Sequence, residues 1–128
     1  MHEKRLEIRW RDLDAYGHAN NAVYLTYLEE CRDEWLDRAV GELGPSEFVI
    51  ARVEIDFRRE LRIEDDEVVV RCRLERIGTS SVTTEEEIRT TELELVAAAR
   101  AVVVAQDRAT RRTRALRPEE RVALEKAG

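Results

Sequence analysis

Between Asp12 and Asn21 the chain reads Asp12-Leu13-Asp14-Ala15-Tyr16-Gly17-His18-Ala19-Asn20-Asn21, and a strongly helical segment follows directly. Two carboxylates, a histidine and a helix start in one short stretch can act on a carbonyl. The N–H groups of a helix's first turn are unsatisfied and carry a partial positive charge, so they can hold an oxyanion. A neighbouring carboxylate can then activate water or attack the carbonyl itself. Asp14, His18 and the N–H of Asn21 are the candidate catalytic groups.

Each of these residues also has a purely structural use. Asp accepts backbone N–H groups in turns, and Asp12 is expected to do only that. Asp14 is expected to be the reactive carboxylate, since the glycine and the following helix supply the oxyanion site a base needs. His18 fits a loop hydrogen bond as well as a catalytic role. Asn20 or Asn21 fits a helix cap, which is compatible with presenting the N–H that matters. With only His2 and His18 in the chain, no ligand set has metal-site spacing, and no metal is expected. Cys31 and Cys72 fall in a helix interior and a strand, where they are expected as buried free thiols.

The elements that position this loop can be read from periodicity. Leu6 to Arg11 alternates apolar and charged residues, as a half-buried strand does. Asp12 to Asn20 is loop. Tyr24, Leu25, Leu28, Cys31, Trp35, Leu36 and Ala39 then recur at spacings of three and four, which predicts a helix of about five turns that Gly41 or Gly44 stops. Strands are expected at Phe48 to Phe57, Glu67 to Ile77, Ser81 to Thr91 and Leu93 to about Asp107, with a short helix over Pro118 to Lys126. One strand, a long helix and four further strands predict a single α+β domain over 1–128, an antiparallel five-stranded sheet with the helix across one face. The uncovered sheet edge or face predicts self-association, as a dimer or a higher oligomer.

The stretch from Arg9 to Leu25 resembles the signature of the 4-hydroxybenzoyl-CoA thioesterase family, acyl-CoA thioesterases with a hotdog fold, in which the sheet wraps around the long helix. Strand, Asp-Leu-Asp, Gly-His, Asn-Asn and the helix through Arg32 follow the family's order. Gly78-Thr79-Ser80-Ser81 and Arg117-Pro118-Glu119-Glu120 resemble its later turn and its ending. The resemblance implies that Asp14 is the catalytic carboxylate, as base or nucleophile, that Asn21 N–H polarises the thioester carbonyl, and that His18 sits where some branches carry a functional histidine. Substrate contacts are expected from Tyr16, Gly17, Tyr24, Ser80 and Ser81. The basic run 108–114 fits a solvated turn, and the resemblance also makes Arg111, Arg112 or Arg114 in it a candidate for the phosphates of coenzyme A, because guanidinium recognises phosphate well. Coenzyme A would enter as part of the substrate, with no separate cofactor.

The chain departs from relatives at two points. Tyr16 stands where plant acyl-carrier-protein thioesterases have a catalytic asparagine, and Glu60 stands where proline is frequent. The Asp-x-Asn-Pro-x-His pattern of hotdog hydratases is also missing. The competing readings are an acyl-carrier-protein thioesterase and an acyl-CoA-binding protein without catalysis. A net charge of −6 argues against nucleic-acid or anionic-membrane partners, and no apolar stretch suggests a membrane span or a signal peptide, so a cytoplasmic location is expected.

Overall fold

The computed structural model describes residues 1–44 and 47–128. Five strands, β1 (His2–Glu7), β2 (Glu47–Phe57), β3 (Glu67–Ile77), β4 (Ser81–Thr90) and β5 (Leu95–Gln106), form one antiparallel sheet in the order β1-β3-β4-β5-β2. The helix α1 (Asn21–Val40) packs on one face, and α2 (Pro118–Ala127) closes the end of α1, where Trp35 Nε1 donates to the Ala127 carbonyl at 3.2 Å. This is the expected hotdog arrangement. Register shifts between Ile50 and Arg52, between Leu74 and Arg76, and between Ile88 and Arg89 are bulges that curve the sheet around α1.

The first strand lies earlier than its periodicity predicts. It runs His2–Glu7, and the chain leaves the sheet after Ile8 for a 3₁₀ turn at Trp10–Asp12. Leu6 and Ile8 mark apolar positions in the sequence, but the start of the strand turns His2 and Lys4 toward the helix, where both bond Glu34. A polar inner face leaves no hydrophobic signal to read. The helix stripe is displaced slightly as well: Tyr27, Arg32 and Val40 are buried, whereas Leu25 faces solvent.

Among the described residues, one ion pair has both side chains in the core. Arg32 on α1 meets Glu86 on β4 through two parallel hydrogen bonds, Nε to Oε2 at 2.8 Å and Nη2 to Oε1 at 3.0 Å, with the Thr84 hydroxyl donating to Glu86 at 2.7 Å. Both side chains are almost fully buried. Burial disfavours the Arg32 cation, but the Glu86 carboxylate outweighs it and raises the guanidinium further. Around this pair sit the two free thiols, Cys31 and Cys72, both with no solvent exposure. Burial pushes the Cys31 thiol up to about 12 and the Cys72 thiol upward too, so neither is a nucleophile near neutral pH.

Removing one partner of a buried pair strands the other charge. Glu86→Ala is expected to cost about 3–5 kcal/mol in urea denaturation. The paired replacement Arg32→Met with Glu86→Leu should cost far less than the single change, because no unpaired charge remains.

Candidate active site

The loop between β1 and α1 is organised by Asp12. Its Oδ2 accepts from the Arg9 backbone N–H at 2.9 Å and from the Tyr27 hydroxyl at 2.8 Å, and its Oδ1 accepts from the Arg9 guanidinium at 3.1 Å. Burial to 2% exposure pulls this carboxyl upward, but the Arg9 and Tyr27 donors outweigh it and leave it below the ordinary value near 3.8. Tyr27 is raised in turn, by burial first and then by its bond to Asp12. Asp12 is therefore the structural carboxylate expected from the sequence. Its backbone carbonyl also accepts from Asn20 N–H at 2.9 Å, which closes the loop at its base.

Within that closed loop, residues 14–17 form a tight turn. Gly17 N–H donates to the Asp14 carbonyl, the His18 carbonyl accepts from Asp14 N–H at 2.8 Å, and Leu13 pairs with Ala19 across the base. Gly17 has φ +79°, a left-handed conformation that strains any residue with a Cβ. The Asp14 side chain is part of this turn, because its Oδ1 accepts the N–H groups of Tyr16 at 2.9 Å and His18 at 3.3 Å. Its Oδ2 takes no hydrogen bond among the described residues. One oxygen holds the turn, and the other is unengaged among the described residues. Asp14 and Gly17 line an open cavity of about 350 Å³ that Trp10, Leu13, Arg62 and Ile63 also border.

The helix start next to this turn has the expected form. Asn20 is the cap, with its side-chain oxygen accepting from Ala22 N–H at 2.9 Å. Asn21 opens α1, and its N–H is one of the first-turn donors that a helix cannot satisfy internally. His18 Nε2 lies 3.3 Å from Glu60 Oε2, and the His18 backbone pairs with Arg62. Tyr16 is 82% exposed, with its ring centroid 6.4 Å from that of His18. Tyr24 is buried. Its hydroxyl accepts from Leu61 N–H at 3.1 Å and its ring meets Phe57 edge-on at 5.1 Å, so it ties the helix to the segment after β2. The unusual Glu60 leaves that segment well anchored: Ala19 N–H donates to the Leu61 carbonyl at 2.8 Å, and Arg59 makes a two-fold contact with Asp65.

The remaining candidates lie elsewhere. Glu7 pairs with Glu67, so the Asp14 loop sits at the end of the sheet where β3 begins and β2 finishes. Ser80, Ser81, Arg111 and Arg112 lie at the opposite end, where Glu47 pairs with Gln106 and Ala105 N–H donates to the Ser80 carbonyl. Eleven residues of strand separate the two ends, roughly 35 Å. One chain does not bring these groups together. Arg114 is committed to Glu120, a fully buried carboxylate that also accepts from Arg117 N–H. Among the described residues, no cluster of three His, Cys, Asp or Glu side chains could hold a metal, and no helix is long and apolar enough to cross a membrane.

Sequence reasoning misses Tyr27, Trp10 and Arg62 near the site. Tyr27 carries a signal, since it lies three residues after Tyr24 on the same helix face. Trp10 reads as a strand residue, and Arg62 carries no signal at all.

Residues 8–124 match the family model described as Thioesterase-like superfamily. The chain belongs to that family. It is 29% identical, over 96% of each chain, to the long-chain acyl-CoA thioesterase FadM of Escherichia coli K12. Among solved structures it is similar to a thioesterase from Thermus thermophilus complexed with coenzyme A and zinc, at 32% identity and a TM-score of 0.87 over 98% of this chain and 92% of that one. A predicted thioesterase from Bacillus stearothermophilus gives 27% identity and a TM-score of 0.89, covering 98% and 95%. Membership in the thioesterase-like family makes the chain a thioester hydrolase.

The Asp12 node has a pH signature. Its folded value is lowered, so its stabilisation is complete above the unfolded carboxylate value near 3.8 and is lost as pH falls through the lower folded value. Asp12→Asn is expected to cost about 1–3 kcal/mol at pH 7, with the gap to the parent protein closing below about pH 4 in denaturation series run at stepped pH.

Proposed function

We propose that this thioester hydrolase cleaves an acyl-CoA to the free acid and coenzyme A, with Asp14 as its general base. The observation that carries this reading is the Oδ2 of Asp14, left without a hydrogen bond among the described residues, on a cavity-lining residue of the loop that leads into α1. In the proposed step Asp14 takes a proton from water and the resulting hydroxide attacks the thioester carbonyl carbon. The Asn21 N–H and the helix dipole hold the oxyanion while the C–S bond breaks. The departing CoA thiolate takes up the proton. FadM and the CoA-bound Thermus thermophilus thioesterase support the substrate class. His18 has a supporting part in this scheme, fixing the turn whose N–H groups hold Asp14 Oδ1.

The reading includes a homodimer. β2 is an edge strand, and Val49, Ile50 and Phe57 on it are exposed. Antiparallel pairing of two β2 strands about a two-fold axis extends the sheet across both copies. It also sets Phe57, next to the Asp14 loop, near Glu47 of the partner subunit. Arg111 and Arg112 of the partner subunit then approach the Asp14 cavity, which supplies the phosphate contacts that a single chain separates from it.

Release of free thiol from acetyl-, dodecanoyl- and benzoyl-CoA tests the scheme, with the parent protein and Asp14→Asn side by side. Asparagine keeps the Oδ1 acceptor that the turn needs, so the variant is expected to fold normally by circular dichroism. Its turnover is expected to fall at least about a hundredfold. Near-normal turnover would remove Asp14 from the mechanism, and an absence of thiol release from all three esters by the parent protein would remove the acyl-CoA reading.

A further inference from the structure

Trp10 is one of two tryptophans, and the two are treated in opposite ways. Trp35 is buried at 2% exposure with its indole N–H bonded, whereas the Trp10 side chain is 80% exposed. Large aromatics left in water on a small protein are most informative when they border a cavity, and Trp10 borders the one that contains Asp14. Its mount is stiff. Trp10 opens the 3₁₀ turn whose third residue is Asp12, and Leu13 N–H donates back to the Trp10 carbonyl at 3.2 Å. The bonds that bury Asp12 against Arg9 and Tyr27 therefore fix the backbone that displays the indole. Leu13 and Ile63 add aliphatic surface to the same cavity, and both also pack against the core.

The geometry points to Trp10 as a specificity-determining residue that covers the acyl group of the substrate. This rests on the acyl-CoA reading above. Of the two halves of an acyl-CoA on either side of the carbonyl, the CoA arm places amides next to the thioester and its adenine and phosphates far from it, so the half that gains most from an apolar wall beside the carboxylate is the acyl half. The indole, Leu13 and Ile63 form the apolar part of the cavity's lining, which Arg62 and Glu64 complete with charge. A preorganised aromatic face loses little freedom on binding, so its area converts efficiently into binding. The gain grows with the length of the acyl chain laid against it.

Two measurements test this. In thiol-release assays Trp10→Ala is expected to lower kcat/KM by a factor that rises with acyl length and is at least tenfold larger for dodecanoyl-CoA than for acetyl-CoA. Trp10→Phe should recover most of that loss. An equal loss at all lengths would overturn the assignment. In the second measurement, the non-hydrolysable thioether analogue dodecyl-CoA is titrated into the parent protein and followed by tryptophan emission and by calorimetry. Trp35 is already buried, so a blue shift on binding reports Trp10, and Trp10→Phe should abolish it. Calorimetric binding without any emission shift would overturn the role of Trp10 while leaving the acyl-CoA reading intact. No calorimetric binding would sink both. A blue shift that appears with protein concentration alone would assign the indole to a subunit contact and overturn the proposal.

Discussion

Burying the Asp12 carboxylate between the first strand and the long helix takes an ionised group away from water, and such a group persists only if donors replace the lost hydration. Arg9 and Tyr27 supply them, from a residue just before the loop and a residue two turns into α1. The loop is thereby tied to strand and helix at once. The closure by Asn20 on the Asp12 carbonyl, the turn at residues 14–17 and the outward Trp10 are consequences of that tie. Two aspartates only two positions apart thus have separate duties. One is consumed by the architecture, and the other keeps an oxygen free.

A second buried pair, Arg32 with Glu86, plays a comparable part deeper in the molecule by linking the helix to the middle strand of the sheet. The outer face of the sheet contrasts with both. There Arg71 meets Glu3 and Glu87, Arg73 meets Glu85 and Arg100 meets Glu75 across the strands, and Arg89 meets Glu87 along β4. Exposed pairs of this kind add little stability each, on the order of 0–1 kcal/mol. Their effect is to neutralise locally a chain that is acidic overall.

The strands from β2 onward and both helices are legible within two residues of their ends, because apolar spacing and the turns between them mark their bounds even where Glu86 interrupts the inner face of β4 and Arg32 that of α1. The start of β1 is not, because its inward residues His2 and Lys4 are polar and are satisfied by Glu34, a partner invisible from local pattern. The same reason hides Arg32 and Glu86, which read as surface charges until the fold places them opposite each other. At the site, the loop and its order of residues are readable, as is the cap on α1. The structural duty of Asp12 is readable too. What residue order does not carry is distance. Ser80, Ser81, Arg111 and Arg112 belong to the other end of the sheet, and strand length alone, not residue type, decides that.

The two interior sulfhydryls carry a practical corollary. Cys31 and Cys72 have no exposed surface and titrate well above neutrality, so a colorimetric thiol reagent in solution cannot reach them while the protein stays folded. Modification must wait for the helix to lift from the sheet. Labelling of these two groups therefore reports opening of the core, and while the fold stays closed they add no signal to an assay that follows another source of sulfhydryl with the same reagent.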